Sequence, residues 1–217
     1  MKSRKRGFSL VELQVVAAVA GFLGAILVPA VNNAQRSAQM VQTLSNGQNI
    51  YHSAFADQMD FFATNPAADP DDNQWPNEGD FASSTEYFVN LVTNDVMCVS
   101  YDFFAAEGIP PAKSGDSADF KPENNAWKLV LGLDGARDGT PFIFTRNYAI
   151  STVPTGEGPI LPEQLMDNNG KPFGTAGLVV IQKGGAGLRL QKNSLREELF
   201  NPAGAPPDGR VLAVLDP

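Results

Sequence analysis

The chain has one cysteine and one histidine among its 217 residues. Cys98 alone allows no intramolecular disulfide, and within Val96-Met97-Cys98-Val99 it reads as a small buried hydrophobe. His52 alone removes zinc clusters of the His-rich kind and leaves a Ser-His-Asp triad without support. Beside Tyr51 it reads as a packed or hydrogen-bonded side chain. Basic residues are scarce, 16 against 24 acidic, for a formal charge of −8. With no basic stripe to offset that balance, no nucleic-acid partner is expected. No internal repeat and no EF-hand spacing is evident, and Gly184, Gly185 and Gly187 lack the Lys-Ser or Lys-Thr of a phosphate loop. No catalytic constellation remains, so the chain reads as a non-enzyme.

Long hydrophobic runs are also rare, and the only one stands at the start. Lys2, Arg4, Lys5 and Arg6 lead to Gly7, and an apolar run then extends from Phe8 to Val31 with one charge in it, Glu12. About twenty apolar residues suffice to cross a bilayer as a helix, and a charge inside such a span is costly and a functional suspect. A cleaved secretory signal would use the basic leader and Ala18-Val19-Ala20. Against it, Glu12 and Gln14 interrupt the apolar core, and hydrophobicity continues to Val31. A plain anchor accounts for the length and the basic flank but leaves Glu12 unexplained.

Gly7-Phe8-Ser9-Leu10-Val11-Glu12 resembles the processing and methylation motif of type IV pilins and type II secretion pseudopilins. The resemblance implies cleavage by a prepilin peptidase between Gly7 and Phe8 and N-methylation of Phe8. It also makes Glu12 the acidic fifth residue of the mature chain, and places Pro29 where many members carry a helix-distorting proline. The family model pairs this glutamate with the terminal amine of a neighbouring subunit during assembly. That pairing suits the physics, since an unpaired carboxylate in hydrocarbon costs several kcal/mol. Pairing of Glu12 with the amine of its own chain is the simpler alternative. Loss of the leader removes four basic residues and no acidic one, leaving 12 basic against 24 acidic, or −12.

The chain then divides into a leader (1–7), a transmembrane or fibre-core helix (8–31), an amphipathic continuation (32–62) and a globular head (63–217). Past Pro29, apolar positions Val31, Ala34, Ala38, Val41, Leu44, Tyr51, Phe55, Met59 and Phe62 recur at mostly three- and four-residue spacing. A helix from Phe8 to Phe62 would measure about 80 Å, with a bend or local melting at Pro29, which removes one backbone hydrogen bond. Asn65–Asp80 reads as a loop. Ser83-Ser84-Thr85-Glu86 has the form of a capping box opening a helix over 84–94, and 97–104 reads as a strand or packed connector. Strands at 127–133 and 140–149 form a first hairpin, and 177–182 and 188–192 a second. The glycines of the second turn are expected to supply positive φ. Helical turns at 194–200 and a strand at 210–215 follow. The fold class is therefore α+β: a long N-terminal helix packed on a small antiparallel sheet, the architecture of the pilin family.

Ser84-Thr85-Glu86-Tyr87-Phe88 and Thr140-Pro141-Phe142-Ile143-Phe144-Thr145-Arg146-Asn147 resemble segments of longer bacterial pseudopilins and serve as fold markers. Major pseudopilins often bind calcium, and hard cations want oxygen ligands. Candidate oxygens are Asp134 with Asp138, Asp167 with Asn168 and Asn169, and Asp69 with Asp71 and Asp72, although Asp, Asn and Gly are also what ordinary turns contain. The resemblance implies a bacterial inner-membrane protein with a periplasmic head. Its partners would be other pilins or copies of itself, prepilin peptidase, an inner-membrane assembly platform and membrane lipid. A membrane-anchored binding or adhesion protein that never polymerises is the alternative.

Overall fold

The computed structural model describes residues 10–64 and 75–217. The Gly7–Phe8 junction and the candidate oxygens of Asp69, Asp71 and Asp72 lie outside the described residues. The chain divides into two compact units, 1–38 and 39–217.

Helix α1 (Leu10–Thr64) begins in the first unit and ends in the second. In the first unit every large apolar side chain from Leu10 to Val31 is exposed, by 42% to 72%. With a mean hydropathy of 2.2 in its most apolar stretch, the helix is long and apolar enough to cross a membrane. The helix continues through Pro29, so of the bend or local melting expected there only a bend is compatible with it. A proline removes one ladder bond, and the turns on either side keep theirs.

The second unit is an α+β head. Five antiparallel strands, β1 (Trp127–Val130), β2 (Pro141–Thr145), β3 (Leu178–Gln182), β4 (Gly187–Leu190) and β5 (Val214–Leu215), lie in the order β4-β3-β2-β1-β5. Both expected hairpins are present as β1–β2 and β3–β4, trimmed at their ends. Strands β1, β2 and β3 are buried along their whole length, as central strands covered on both faces should be. Helix α2 (Ser84–Thr93) starts where the capping signal places it: Ser83 Oγ accepts from the Glu86 amide at 3.2 Å. Glu86 Oε2 in turn accepts from the Ala82 amide at 2.7 Å, one residue before the cap. Residues 97–104 are a packed connector ending in the 3-10 turn Tyr101–Phe104.

Three expectations are corrected. First, the face that α1 buries in the head is Met40, Thr43, Gly47, Ile50, Tyr51 and Ala54, with Leu44 half-buried. Val41, Phe55 and Met59, expected on that face, are exposed by 48%, 40% and 55%. The apolar count missed it because the sheet comes closest at a glycine: a Cβ on Gly47 would stand 2.7 Å from both Ile181 Cγ1 and Trp127 Cη2.

Second, of the three glycines in the β3–β4 turn, only Gly185 has positive φ, +80°. The turn is built for close approach. A Cβ would meet the Tyr51 ring at 2.5 Å from Gly185, Leu44 Cδ1 at 2.6 Å from Gly187 and Asp138 Cβ at 2.8 Å from Gly184.

Third, Cys98 is exposed rather than buried, because its neighbour Met97 takes the inward position. A thiol reagent should therefore label Cys98 in the folded head within about threefold of its rate in the urea-unfolded chain. Protection of about a hundredfold would restore the buried reading.

Candidate functional site

Glu12 lies in the first turn of α1, exposed among apolar side chains. Pro29 sits inside the same helix.

The calcium candidates separate into two places. Asp134 and Asp138 belong to the β1–β2 connection. There Asp134 Oδ2 accepts from Asn77 Nδ2 at 3.4 Å, and the Asp138 carbonyl accepts from the Gly184 amide at 2.8 Å. Asp167 and Asn168 open a turn, Asp167–Gly170, whose Asn168 and Asn169 adopt left-handed φ of 51° and 59°. Asp167 Oδ2 accepts from Lys128 Nζ at 2.7 Å and Oδ1 from the Asn168 amide at 2.9 Å. Asn168 Oδ1 accepts from Arg146 Nη2 at 2.5 Å. The Asp167 and Asn168 oxygens do not suit a calcium ion: each already accepts a hydrogen bond, and the two fixed cations Lys128 and Arg146 would repel a third. Among the described residues no group of three or more His, Cys, Asp or Glu gathers to hold a metal.

What the second place does contain is a closed circuit of polar contacts. Lys128, on β1, is 1% exposed, and its ammonium lies 2.7 Å from Asp167 and 2.8 Å from Asp216. The Asp216 carbonyl accepts from the Ser84 amide at 2.8 Å, at the first turn of α2. Ser84 Oγ donates to the Trp127 carbonyl at 2.7 Å and accepts from Asn125 Nδ2 at 3.0 Å. The Asn125 carbonyl accepts from Arg146 Nη1 at 2.8 Å, and Arg146 closes the ring through Asn168. Burial pulls the Arg146 guanidinium below the ordinary arginine range, while Asp167, Asp216 and Glu123 oppose that shift; arginine stays charged regardless.

Both fold-marker motifs contribute to the ring, the first through Ser84 and the second through Arg146. In the first, Ser84 and Thr85 are buried because their hydroxyls accept from Asn125, whose Oδ1 accepts from the Trp127 amide at 2.9 Å. In the second, Thr145 Oγ1 accepts from the Val179 amide at 3.1 Å, and Asn147 Nδ2 donates to the Gly174 and Gly177 carbonyls. Arg146, between them, also reaches the Pro122 carbonyl. Ser84, Thr145, Arg146 and Asn147 thus each satisfy a backbone group, while Thr85 bonds the Asn125 side-chain amide. Lys128, Asn125 and Asp216 went unnoticed in the sequence. The one signal was a lysine inside the otherwise apolar Trp127-Lys128-Leu129-Val130, which demands a counter-ion if the strand is central.

His52, also singled out, is exposed on α1 with its ring edge-on to Tyr51 at 5.5 Å. No protein-family description, no curated protein and no solved structure matches this chain.

Proposed function

We propose that the protein is a structural subunit of a type II secretion pseudopilus or a type IV pilus-like fibre, stored in the bacterial inner membrane with its head in the periplasm. The observation that carries this reading is the order of features along one segment. Gly7-Phe8 is followed by Glu12 in the first turn of a helix that stays apolar to Val31 and later lays Met40 to Ala54 on an antiparallel sheet. In this reading prepilin peptidase cuts after Gly7 and methylates Phe8, the apolar helices form the fibre core, and acidic heads coat it. An assembly platform driven by an ATPase does the work, and the subunit itself performs no chemistry.

Glu12 is the residue on which assembly should turn. A buried carboxylate paired with a neighbour's terminal amine rewards correct register, and its loss removes several kcal/mol of pairing. Glu12→Ala is therefore expected to cut the yield of sheared fibres at least about tenfold. Membrane insertion and the thermal unfolding of the head should stay unchanged. Undiminished fibres from Glu12→Ala would favour an anchored binding protein that does not polymerise.

A further inference from the structure

Residues 211–216 lie between two other segments rather than along a free edge. On one side Leu215 and Val214 pair with Leu129 and Val130 of β1, and the Leu131 amide donates to the Ala213 carbonyl at 3.0 Å. On the other side Ala213 bridges Thr152. The Val153 amide donates to the Leu212 carbonyl at 3.0 Å, and the Val214 amide donates to the Ser151 carbonyl at 2.9 Å. These directional bonds act beside apolar packing, in which Leu212 belongs to the core and Ala213, Val214 and Leu215 pack against it. Leu212 is its only buried side chain, Ala213, Val214 and Leu215 are half-buried, and Val211 is 69% exposed. Strand β3, by comparison, has all five residues buried.

The end of the segment is fixed by charge. Asp216 meets Lys128 at 2.8 Å although its own side chain is 70% exposed. The ten residues before it, 201–210, contain three prolines and two glycines. A strand with one fully buried side chain and a turn-rich tether opens locally at lower cost than one buried along its whole length, such as β3.

We propose that residues 211–216 form an exchangeable strand, and that the slot between β1 and residues 151–153 accepts this segment from a second copy of the chain as it accepts its own. The slot itself identifies the occupant: the same sequence meets the same backbone partners, and Lys128 meets the same carboxylate. Exchange therefore preserves every hydrogen bond and ion pair of the resident arrangement, which is what makes swapping of an identical element inexpensive. The proposal concerns the head alone and does not rest on the fibre reading.

The test uses the full chain in detergent with Cys98→Ser, and places Thr152→Cys and Ala213→Cys across the bridge, where directly opposite side chains come within reach of a disulfide. In one chain the two cysteines should close an internal disulfide, which checks the pairing. On two differently tagged chains, mixed, they join only when one chain's strand seats in the other's slot. That mixed dimer should form at least about tenfold faster than a dimer between two Thr152→Cys chains, which reports collision alone. Asp216→Asn in the receiving chain should speed it a further threefold or about that, by loosening the resident strand. A mixed pair no faster than the collision control, with the internal disulfide closing normally, would overturn the exchange. Failure of the internal disulfide would overturn the slot.

Discussion

Asp167→Asn combined with Asp216→Asn is expected to destabilise the head by about 3 kcal/mol, while Lys128→Met should cost about 1 kcal/mol or less. The asymmetry follows from burial. Lys128 is almost wholly enclosed, whereas the side chains of Asp167 and Asp216 are 34% and 70% exposed. Removing both carboxylates leaves an ammonium in the sheet with Arg146 in the same circuit and no counter-ion in contact. It must then lose its proton or draw water inward. Removing the lysine instead leaves two carboxylates that water can reach, and an unbranched apolar side chain of similar length fills the space. The asparagines still offer hydrogen bonds, which holds the first cost to the low end of about 3–5 kcal/mol for breaking a buried pair. Urea unfolding of the three proteins, followed by tryptophan fluorescence, decides the order. Lys128→Met as damaging as the double carboxylate change would mean the ammonium is not the costly member.

Gly47→Leu is the second large effect, expected at about 2 kcal/mol against the head once the helical gain is subtracted from the clash. Two terms compete at this position. Leucine is a better helix former than glycine by about 1 kcal/mol, so an exposed glycine in mid-helix would gain from the change. Gly47, however, faces Ile181 and Trp127, both 0% exposed, at a distance where even a Cβ stands 2.7 Å away. Both neighbours are fully buried, and overpacking a core costs about 1–3 kcal/mol for a few added methylenes. Gly47→Ala separates the terms: a clash of about 2 kcal/mol outweighs a helical gain of about 1 kcal/mol, leaving a net loss of about 1 kcal/mol. Gly24→Ala, where a Cβ would meet nothing within 4 Å, should leave the unfolding of the head where it was. A head melting normally with Gly47→Leu would contradict the helix–sheet contact.

Much of the head was legible because its signals are local. The Ser83 cap and the alternation from glycine-rich turn to apolar strand depend on residues within a few positions of one another, and each hairpin joins strands adjacent in sequence. What escaped depends on distant approach. Gly47 looks like a weak point of a helix until Trp127 and Ile181 arrive, and Gly184 and Gly187 look like turn residues until Asp138 and Leu44 arrive. The apolar stripe through Val41, Phe55 and Met59 has helical spacing as good as that of the buried stripe; only the position of the sheet selects between them. Asp167 and Asn168 drew notice for their oxygens, and those oxygens do meet cations, but the cations are Lys128, 39 residues away in sequence, and Arg146, 22 away. In the first unit, Glu12 stood out because a lone charge in an apolar run is visible without any tertiary information.

Whether Phe8 is the first residue of the mature chain tests the proposed function most directly. Intact mass and N-terminal peptide mapping should be done on protein taken from native membranes. A processed subunit begins at Phe8 and carries one added methyl group, and that is the expected result. A chain still beginning at Met1 is a simple anchor, and one beginning at Gly21 is a secreted protein; either would contradict assembly through a prepilin pathway.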